Sequence, residues 1–219
     1  MQIGILGGTG PAGRALAARL ADLGHDVVIG SRDAERARAV ADGLQQRWGS
    51  RVATLSGAGN EVPAREGELV VLAVPWQAAK PVASELAEAL AGKLVISMAN
   101  ALEKRNSDFA AVVPPDGSVA AGVAGILPDS RVVAALHHVP AKELGDLDQK
   151  VDGDVLVCAD DREAAAAVVD LVETIPDLSA FDVGGLDNAV GIEAFTAVLL
   201  SLNVRYKTRS AIRLTGVTR

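Results

Sequence analysis

The chain has 219 residues, of which 49% are hydrophobic and only 3% aromatic, and its formal net charge is −7. This length predicts one large domain, or one domain with a small appendage. The acidic total argues against broad nucleic-acid binding and against adhesion to an anionic membrane, because both need a positive field. The single cysteine, Cys158, rules out a disulfide framework and any multi-cysteine metal site.

The amino-terminal residues Met1–Leu6 have an apolar strand pattern. They lack the basic start and long apolar core of a signal peptide. No stretch reaches the roughly 18 uninterrupted apolar residues of a membrane span. The apolar run Ala194–Leu202 is broken by Thr196 and Ser201. We therefore expect a soluble, cytoplasmic protein with neither a nucleic-acid nor a membrane partner.

Short β-branched runs alternate with alanine-rich helical stretches, an order typical of a parallel sheet with crossover helices. The predicted strands are Ile3–Leu6, Val27–Ile29, Val52–Leu55, Leu69–Val74, Leu94–Ser97 and Val132–Leu136. The predicted helices run from about Pro11 to Leu23, Ala34 to Trp48, and Trp76 to Leu90. Because the strands are continuously apolar, we expect helices on both faces of the sheet.

After Asn100 the pattern is less regular. A second unit is predicted to contain a strand at Val155–Cys158, a helix at Arg162–Glu173, a strand at Phe181–Val183, and a closing helix from about Asn188. The predicted fold class is α/β: a doubly wound parallel-sheet Rossmann domain, residues 1–140, with a small C-terminal α+β cap, residues 141–219, packed on it.

A glycine-rich turn follows the first predicted strand and opens a helix. It fits the pattern G-x-G-x-x-G with Gly8, Thr9, Gly10, Pro11, Ala12 and Gly13. Gly8 permits the tight turn, Gly10 lets a pyrophosphate approach the backbone, and Gly13 lets helix and strand pack closely. The helix N-terminus presents free N–H groups to phosphates. We predict a dinucleotide site here, the alternative being a merely structural turn.

The end of the second strand bears on which dinucleotide binds. An NAD site places an acidic residue there for the ribose hydroxyl, whereas this strand ends Ile29-Gly30-Ser31-Arg32. Ser31 and the guanidinium groups of Arg32 and Arg36 suit a 2′-phosphate. We therefore predict NADP. Two alternatives stay open: the arginines are solvated helix charges, or Asp33 acts as the ribose acid.

These residues resemble those of the NADPH-dependent coenzyme F420 reductases, the F420H2:NADP oxidoreductase family. The resembling stretches are Leu6 to Gly10, Gly30 to Arg32, Val74 to Trp76, Ala135 to Ala141 and Val155 to Asp161. Their combination is more specific than the glycine turn alone. The resemblance implies hydride exchange between NADP(H) and an 8-hydroxy-5-deazaflavin, coenzyme F420, as co-substrate.

The resemblance also implies roles for individual residues. It places Thr9–Ala12 at the pyrophosphate and the Ser31, Arg32 and Arg36 group at the 2′-phosphate. It surrounds the nicotinamide and deazaflavin rings with three loops, which contain Val74, Pro75, Trp76, Met98, Ala99, His137 and Pro140. The stretch Met98-Ala99-Asn100 departs from the family because it lacks a proline that is frequent there.

Adjacent histidines are the polar candidates at the edge of the sheet. His137 and His138 are predicted to leave a strand at its carboxyl end, and strand alternation turns at most one of them toward a pocket. We favour His137 as the catalytic residue that hydrogen-bonds a cofactor ring. The alternative is that both histidines cap the strand or meet solvent. Two adjacent histidines make no metal site without another ligand, so we expect no metal.

Two further side chains have less specialised predicted roles. Trp76 either walls the nicotinamide pocket or packs under its own helix, and we favour packing. Cys158 ends an apolar strand, so we expect it to be a buried, inert thiol.

The carboxyl-terminal region is basic. Arg205, Arg209 and Arg213 recur at four-residue spacing, which predicts one helical stripe within a cluster that continues to Arg219. The stripe either complements a helix C-terminus or attracts the polyglutamyl tail that the resemblance gives to the deazaflavin. An apolar helix face predicts a homodimer contact, and it contains Ile192, Phe195, Val198, Leu199 and Leu202.

Other function classes remain open from sequence. One is a different NADP-dependent reductase that acts on a flavin, an imine or a metal chelate. The other is a non-catalytic NADP(H)-binding redox sensor, in which the space over the nicotinamide is blocked.

Overall fold

The computed structural model describes residues 1–106 and 108–217. Within these ranges eight strands form one sheet, in the order β10-β9-β8-β5-β4-β1-β2-β3. The strands are β1 (Gln2–Leu6), β2 (Asp26–Ser31), β3 (Leu55–Gly59), β4 (Leu69–Leu72), β5 (Leu94–Ser97), β8 (Arg131–Ala134), β9 (Gly153–Ala159) and β10 (Leu178–Asp182). An antiparallel hairpin of β6 (Leu102–Arg105) and β7 (Asp108–Ala111) stands apart from the sheet.

Helices cover both faces of this sheet. They are α1 (Pro11–Asp22), α2 (Ala34–Trp48), α3 (Glu61–Glu66), α4 (Trp76–Glu85), α5 (Ala87–Leu90), α6 (Val119–Ile126), α7 (Ala141–Leu144), α8 (Arg162–Glu173) and α9 (Ala189–Tyr206). One buried cluster joins α1, α2 and α8 to the sheet, and a second joins α4, α6 and α9 to its other face. The predicted doubly wound Rossmann architecture is confirmed.

The strand order reverses between β1 and β4. The chain passes from β1 outward to β2 and β3, then returns to β4 and continues outward through β5 and β8, all in parallel pairs. In such sheets ligands bind beyond the carboxyl ends of the strands at the point of reversal. This topology makes the carboxyl edge of the sheet the expected position of a functional site.

The predicted strand Val52–Leu55 is wrong. Residues Gly49–Val52 form a turn of 3-10 helix, and β3 begins at Leu55. A methyl group added at Gly57 would lie 2.3 Å from the main chain of Ala37 in α2. This edge strand is therefore built from small residues so that a helix can approach it, and it has no β-branched signature.

Other predicted bounds also needed correction. The predicted helix Trp76–Leu90 is two helices, because the main chain at Leu86 leaves helical geometry at φ −108° and ψ 13°. Strand β4 ends two residues before Val74, and β8 ends two residues before Leu136. The hairpin β6–β7 and helix α6 were not predicted at all: the hairpin strands have no apolar alternation, and Pro114, Pro115, Gly117 and Pro128 indicated loops on either side of α6.

The carboxyl-terminal part of the chain continues the sheet. Strand β9 pairs antiparallel with β8, with Val133 opposite Ala159 and Ala134 opposite Cys158. Strand β10 then pairs parallel with β9. The amino ends of β9 and β10 therefore lie at the same edge as the carboxyl ends of the other strands. Pro140 is the N-cap residue of α7.

Candidate active site

The glycine turn has the geometry that its sequence predicts. Gly10 is the N-cap residue of α1 and Pro11 occupies the first turn. A methyl group added at Gly8 would lie 2.9 Å from Ile29 Cγ2, and one at Gly13 would lie 2.7 Å from the Cα of Gly8. At Gly10 the nearest atom would be the oxygen of Gly7, at 3.6 Å. Gly8 and Gly13 thus serve packing, while Gly10 leaves the helix N-terminus accessible.

The neighbouring Gly7 is also required by the backbone, although it lies outside the G-x-G-x-x-G pattern. Gly7 has a φ of +72°, and a methyl group there would lie 2.5 Å from Val74 Cγ1. The Ala73 N–H donates to the oxygen of Leu6 at 2.9 Å. Gly7 therefore lets the exits of β1 and β4 meet.

At the end of β2, Asp33 acts as a helix cap. Its carboxylate accepts a hydrogen bond from the N–H of Arg36 at 3.1 Å, at the start of α2. The Asp33 N–H donates to Ser31 Oγ at 3.2 Å. The Asp33 carboxylate already accepts a hydrogen bond from a free N–H group at the start of α2. Helix capping therefore accounts for this acidic residue, and no contact with a ribose hydroxyl is needed to explain it.

The two arginines near this cap are exposed. The nearby acid Glu35 forms its ion pair with Arg38. Among the residues that the structure describes, neither Arg32 nor Arg36 has a carboxylate partner within 4.0 Å. Two exposed guanidinium groups beside a hydroxyl make this corner suitable for a phosphate dianion.

Buried polar atoms gather at the carboxyl ends of β4, β5 and β8. Nine buried side-chain nitrogen or oxygen atoms of the described residues have no hydrogen-bond partner, and six lie at this edge. The six are Trp76 Nε1, Ser97 Oγ, Asn100 Oδ1, both ring nitrogens of His137, and His138 Nε2. Buried polar groups are normally hydrogen-bonded. Such a concentration at the carboxyl edge of the sheet makes these side chains candidates for contacts with a ligand.

The histidines do not follow the strand directly, as the sequence predicted. Strand β8 ends at Ala134, and Leu136 has a φ of +65°, so a turn separates His137 and His138 from the strand. Strand alternation does not apply to them, and both are buried, at 6% and 7% exposure. They do not meet solvent, and neither side chain stands in an open cleft.

Burial controls the protonation of both histidines. It lowers the pKa of His137 to about 3, with a smaller contribution from neighbouring His138. It lowers the pKa of His138 to about 4, against the opposing attraction of Asp154. Both imidazoles are therefore neutral at pH 7, and each can donate at one nitrogen and accept at the other.

Glu193 is a residue of this site that sequence reasoning missed. It lies on α9, is 3% exposed, and accepts hydrogen bonds from Val119 N and Ala120 N at 2.9 and 3.1 Å. Its Oε1 lies 3.9 Å from His137 Nε2. Burial raises the pKa of Glu193 to about 7, although the two amide donors oppose this. The available signal was a single carboxylate in an otherwise apolar helical run.

The remaining predicted loop residues line the same edge. Met98 and Ala99 are buried after β5, at 8% and 5% exposure. Val74 and Trp76 are half-buried and pack against the cluster beneath α4 and α6, as the packing interpretation of Trp76 expected. The flanking residues Pro75 and Pro140 are exposed and half-buried respectively, and Thr9 and Ala12 are half-buried in the turn.

The predicted arginine stripe is wrong. Helix α9 ends at Tyr206, and Lys207 is left-handed with a φ of +52°, so Arg209 and Arg213 lie beyond the helix. Each stripe arginine instead has a carboxylate partner: Asp108 for Arg205, Glu143 for Arg209, and Asp152 with Asp154 for Arg213. These ion pairs within the chain account for the three arginines, so a polyglutamyl tail of the cofactor is not needed to explain them. Arg219 lies outside the described residues.

The apolar face predicted on α9 divides into two parts. Ile192 and Leu199 are buried at 6% and 8% exposure. Phe195, Val198 and Leu202 are 44%, 54% and 37% exposed. By length and composition alone, the segment Leu186–Tyr206 is also long and apolar enough to cross a membrane. A third of its apolar 18-residue stretch is buried within the protein.

Comparison with known proteins identifies the family. The family pattern described as NADP oxidoreductase, coenzyme F420-dependent, matches residues 2–101. The F420-dependent NADP reductase of Methanocaldococcus jannaschii is 39% identical to this chain over 99% of both sequences. The chain belongs to the F420-dependent NADP reductase family. The predicted resemblance is thereby confirmed.

Further similarities support this membership over the full length. The F420-dependent NADP reductase of Methanothermobacter marburgensis is 37% identical over 99% of each chain. A solved structure from Arthrobacter sp. FB24, assigned to the F420-dependent NADP reductases, superimposes with a TM-score of 0.84 at 29% identity, covering 98% of this chain and 99% of the other. The whole fold, including β9, β10 and α9, is therefore shared with this family.

Proposed function

We propose that this chain transfers hydride between NADP(H) and coenzyme F420, the two compounds in the names of its relatives. The observation that carries the proposal is the set of six unpartnered buried polar atoms beside the glycine turn. Hydride passes between a nicotinamide carbon and a deazaflavin carbon, which demands alignment rather than a nucleophile. The protein's task is to bind the two rings against each other and exclude water.

The amino-terminal half supplies the NADP site in this proposal. The main chain from Gly8 to Gly13 holds the pyrophosphate at the α1 N-terminus. Ser31, Arg32 and Arg36 hold the 2′-phosphate, since the exposed guanidinium groups of the two arginines have no competing ion pair among the described residues. We retain the division into an NADP-binding part, residues 1–140, and a carboxyl-terminal cap, residues 141–219, although β9 and β10 of the cap extend the same sheet.

Three loops enclose the two rings in this proposal. They are Val74–Trp76, Met98–Ala99 and His137–Pro140. Because His137 is neutral and buried, it serves as a hydrogen-bonding catalytic residue rather than a cation. Trp76 supports the loop from beneath, consistent with its packing against the core.

One assay separates this function from its alternatives. Purified protein is mixed with NADPH and oxidised coenzyme F420, and loss of the deazaflavin absorbance is followed. We expect turnover with F420 and little with free flavins, cyclic imines or ferric chelates. Stoichiometric NADPH binding without turnover on any acceptor would instead indicate a redox sensor.

We also propose a cytoplasmic homodimer. The exposed strip of α9, Phe195, Val198 and Leu202, borders a groove of about 530 Å³ shared with the hairpin strand β7. A second copy bringing the same strip by two-fold symmetry would cover both strips at once. Because the other face of α9 packs in the core and carries buried Glu193, we place this helix in a soluble protein. Light scattering should give twice the chain mass, and Val198→Glu should give the monomer.

A further inference from the structure

A buried carboxylate and a buried imidazole face each other between α9 and the turn after β8. Glu193 Oε1 and His137 Nε2 are 3.9 Å apart, and their side chains are 4% and 0% exposed. This separation lies outside hydrogen-bond range, so a rotation of one of the two side chains must close the bond in the free protein. Among the residues that the structure describes, both ring nitrogens of His137 lack a hydrogen-bond partner. Glu193 is therefore the group available to Nε2.

We propose that Glu193 and His137 form a proton-sharing pair in which ionisation of Glu193 selects the tautomer of His137. With Glu193 protonated, its hydroxyl donates to Nε2, and the imidazole carries its own proton on Nδ1. When the pair loses one proton, the Glu193 proton passes to Nε2 and the Nδ1 proton leaves. Nδ1 changes from donor to acceptor, and the imidazole is neutral in both states.

The surroundings of the pair support this exchange near neutrality. Burial raises the pKa of Glu193 to about 7, whereas burial lowers the pKa of His137 to about 3. The group that becomes charged when the pair loses a proton is thus the Glu193 carboxyl, and the imidazole stays neutral. The N–H groups of Val119 and Ala120 stabilise the ionised carboxylate once it forms.

The other titratable groups near the pair lie on the elements packed against it. Helix α6 carries no charged residue. On β7, Asp108 is paired with Arg205. On β9, burial raises the pKa of Cys158 to about 11, with smaller contributions from Asp182 and Glu193, so the thiol stays protonated. His138 beside His137 is neutral because burial lowers its pKa to about 4.

The consequence for turnover rests on the proposed function. Each hydride exchanged between NADP(H) and a deazaflavin is accompanied by one proton, and the pair holds one exchangeable proton at the edge where His137 lies. Glu193 is then a positioning residue that acts through His137. The tautomer switch itself is measurable without either cofactor.

Nitrogen NMR of histidine tests the pair directly. The chain has three histidines, His25, His137 and His138, and His25→Gln and His138→Gln assign the signals of full-length ¹⁵N-histidine-labelled protein. Between about pH 5.5 and about pH 8.5, we expect the Nδ1 and Nε2 shifts of His137 to exchange with a midpoint near 7. Glu193→Gln should show one tautomer throughout. A constant tautomer in the wild type, or an unchanged midpoint in Glu193→Gln, overturns the proposal.

A matched variant controls for the structure of α6. Ser118→Ala removes the hydroxyl that caps this helix by accepting the Ala121 N–H at 2.9 Å, while leaving the pair in place. It should keep the switch, and loss of the switch in Ser118→Ala would assign the effect to the helix rather than to the proton of Glu193.

Infrared spectroscopy of the wild type needs no variant, so it tests the pair even if the Glu193→Gln protein fails to fold. The wild type should show a protonated carboxyl band at pH 6 that halves near pH 7, and its absence at pH 6 rejects the pair. A switch that persists in a protein without F420 turnover would count against the proposed function alone. Turnover without the switch would count against the pair alone.

Discussion

The buried guanidinium of Arg19 donates a hydrogen bond from Nη2 to the main-chain oxygen of Asp146 at 2.7 Å. The same side chain reaches three more carbonyl oxygens in this segment, those of Glu143, Leu144 and Gln149. Arg19 belongs to α1, which opens at the glycine turn, and the segment directly follows the histidine loop. One side chain thereby ties α1, the helix proposed to bind the pyrophosphate, to the segment that follows the histidine loop.

Removing this tie should cost stability. Arg19→Met removes the charged donor from four carbonyl oxygens, of which those of Glu143 and Asp146 keep backbone donors. Hydrogen bonds to a charged group contribute about 1.5–3 kcal/mol each in favourable cases. We expect urea unfolding to show a loss of about 2–4 kcal/mol, since such effects are not additive. The control is Arg65→Met, which removes an exposed pair with Glu61 within α3 and should cost under about 0.5 kcal/mol. Equal losses would mean that Arg19 contributes no more than a surface charge.

The NADP preference predicts a selective effect of Arg32. Arg32→Ala removes one exposed guanidinium beside Ser31, and we expect NADPH binding to weaken by about 1.5–3 kcal/mol, as for a lost charged hydrogen bond. NADH, which lacks the 2′-phosphate, should bind nearly unchanged. Calorimetric titration of both nucleotides gives the comparison. Arg38→Ala is the matched control, because that arginine is already paired with Glu35 on the same helix; losses of the same size for NADPH and NADH would assign Arg32 a structural role.

The first part of this site was predictable because its signals are local. The glycine turn, the Ser31-Arg32 end of β2 and the bounds of α2 and α8 all follow from spacing over a few residues. The contact between Glu193 and His137 is different in kind. It depends on α6, an element that the composition concealed, and on the turn at Leu136, whose left-handed φ has no glycine or asparagine to mark it. Long-range contacts set by unpredicted elements leave no pattern in the sequence.

The buried histidines predict how stability depends on pH. The pKa of His137 is lowered to about 3 and that of His138 to about 4, from an ordinary value of 6.5. Below pH 6.5 the unfolded chain binds protons that the folded protein excludes, so stability falls as pH falls from 6.5 toward 4. Each histidine contributes up to about 1.4 kcal/mol per pH unit.

Urea unfolding at a series of pH values measures this dependence. Across the same range the raised pKa of Glu193, about 7, contributes to the pH dependence of stability with the opposite sign. The slope of the wild type is therefore the sum of the two histidine contributions minus that of the Glu193 carboxyl. His138→Asn should reduce the slope by about one histidine's share. His25→Gln, at a half-buried position, should reduce it less. A slope unchanged in His138→Asn would mean that His138 is protonated in the folded protein.

The role proposed for His137 predicts a separation of rate from affinity. His137→Asn keeps a polar amide near the position of Nδ1 but has no atom at the position of Nε2 and cannot exchange a proton, so turnover with F420 should fall about tenfold or more, the lower range for lost proton or hydrogen-bond assistance. NADPH affinity should change by less than threefold, roughly 0.6 kcal/mol, because the phosphate contacts are elsewhere. Steady-state kinetics and calorimetry on the same preparation test this, and an unchanged rate would remove His137 from the active site.

The glycines of the turn make separable predictions because their surroundings differ. Gly10 has a φ of −74°, which any residue adopts, and a methyl group there would meet only the Gly7 oxygen at 3.6 Å. Gly10→Ala should therefore fold with nearly wild-type stability but bind NADPH at least about tenfold, or 1.4 kcal/mol, more weakly, because the methyl group occupies the approach of the pyrophosphate. Gly13→Ala should lose stability instead, since its methyl group would lie 2.7 Å from the Cα of Gly8.

A third glycine, outside the turn, provides the control for these two variants. Gly43 lies within α2 with no atom within 4 Å of an added methyl group. Gly43→Ala should raise the free energy of unfolding by about 0.5–1 kcal/mol, through helix propensity and reduced freedom of the unfolded chain, and should leave NADPH binding unaltered. Thermal unfolding and calorimetry on the three variants give the comparison. If Gly10→Ala binds NADPH as tightly as Gly43→Ala does, the pyrophosphate does not approach the backbone at Gly10 and the dinucleotide lies elsewhere on this edge.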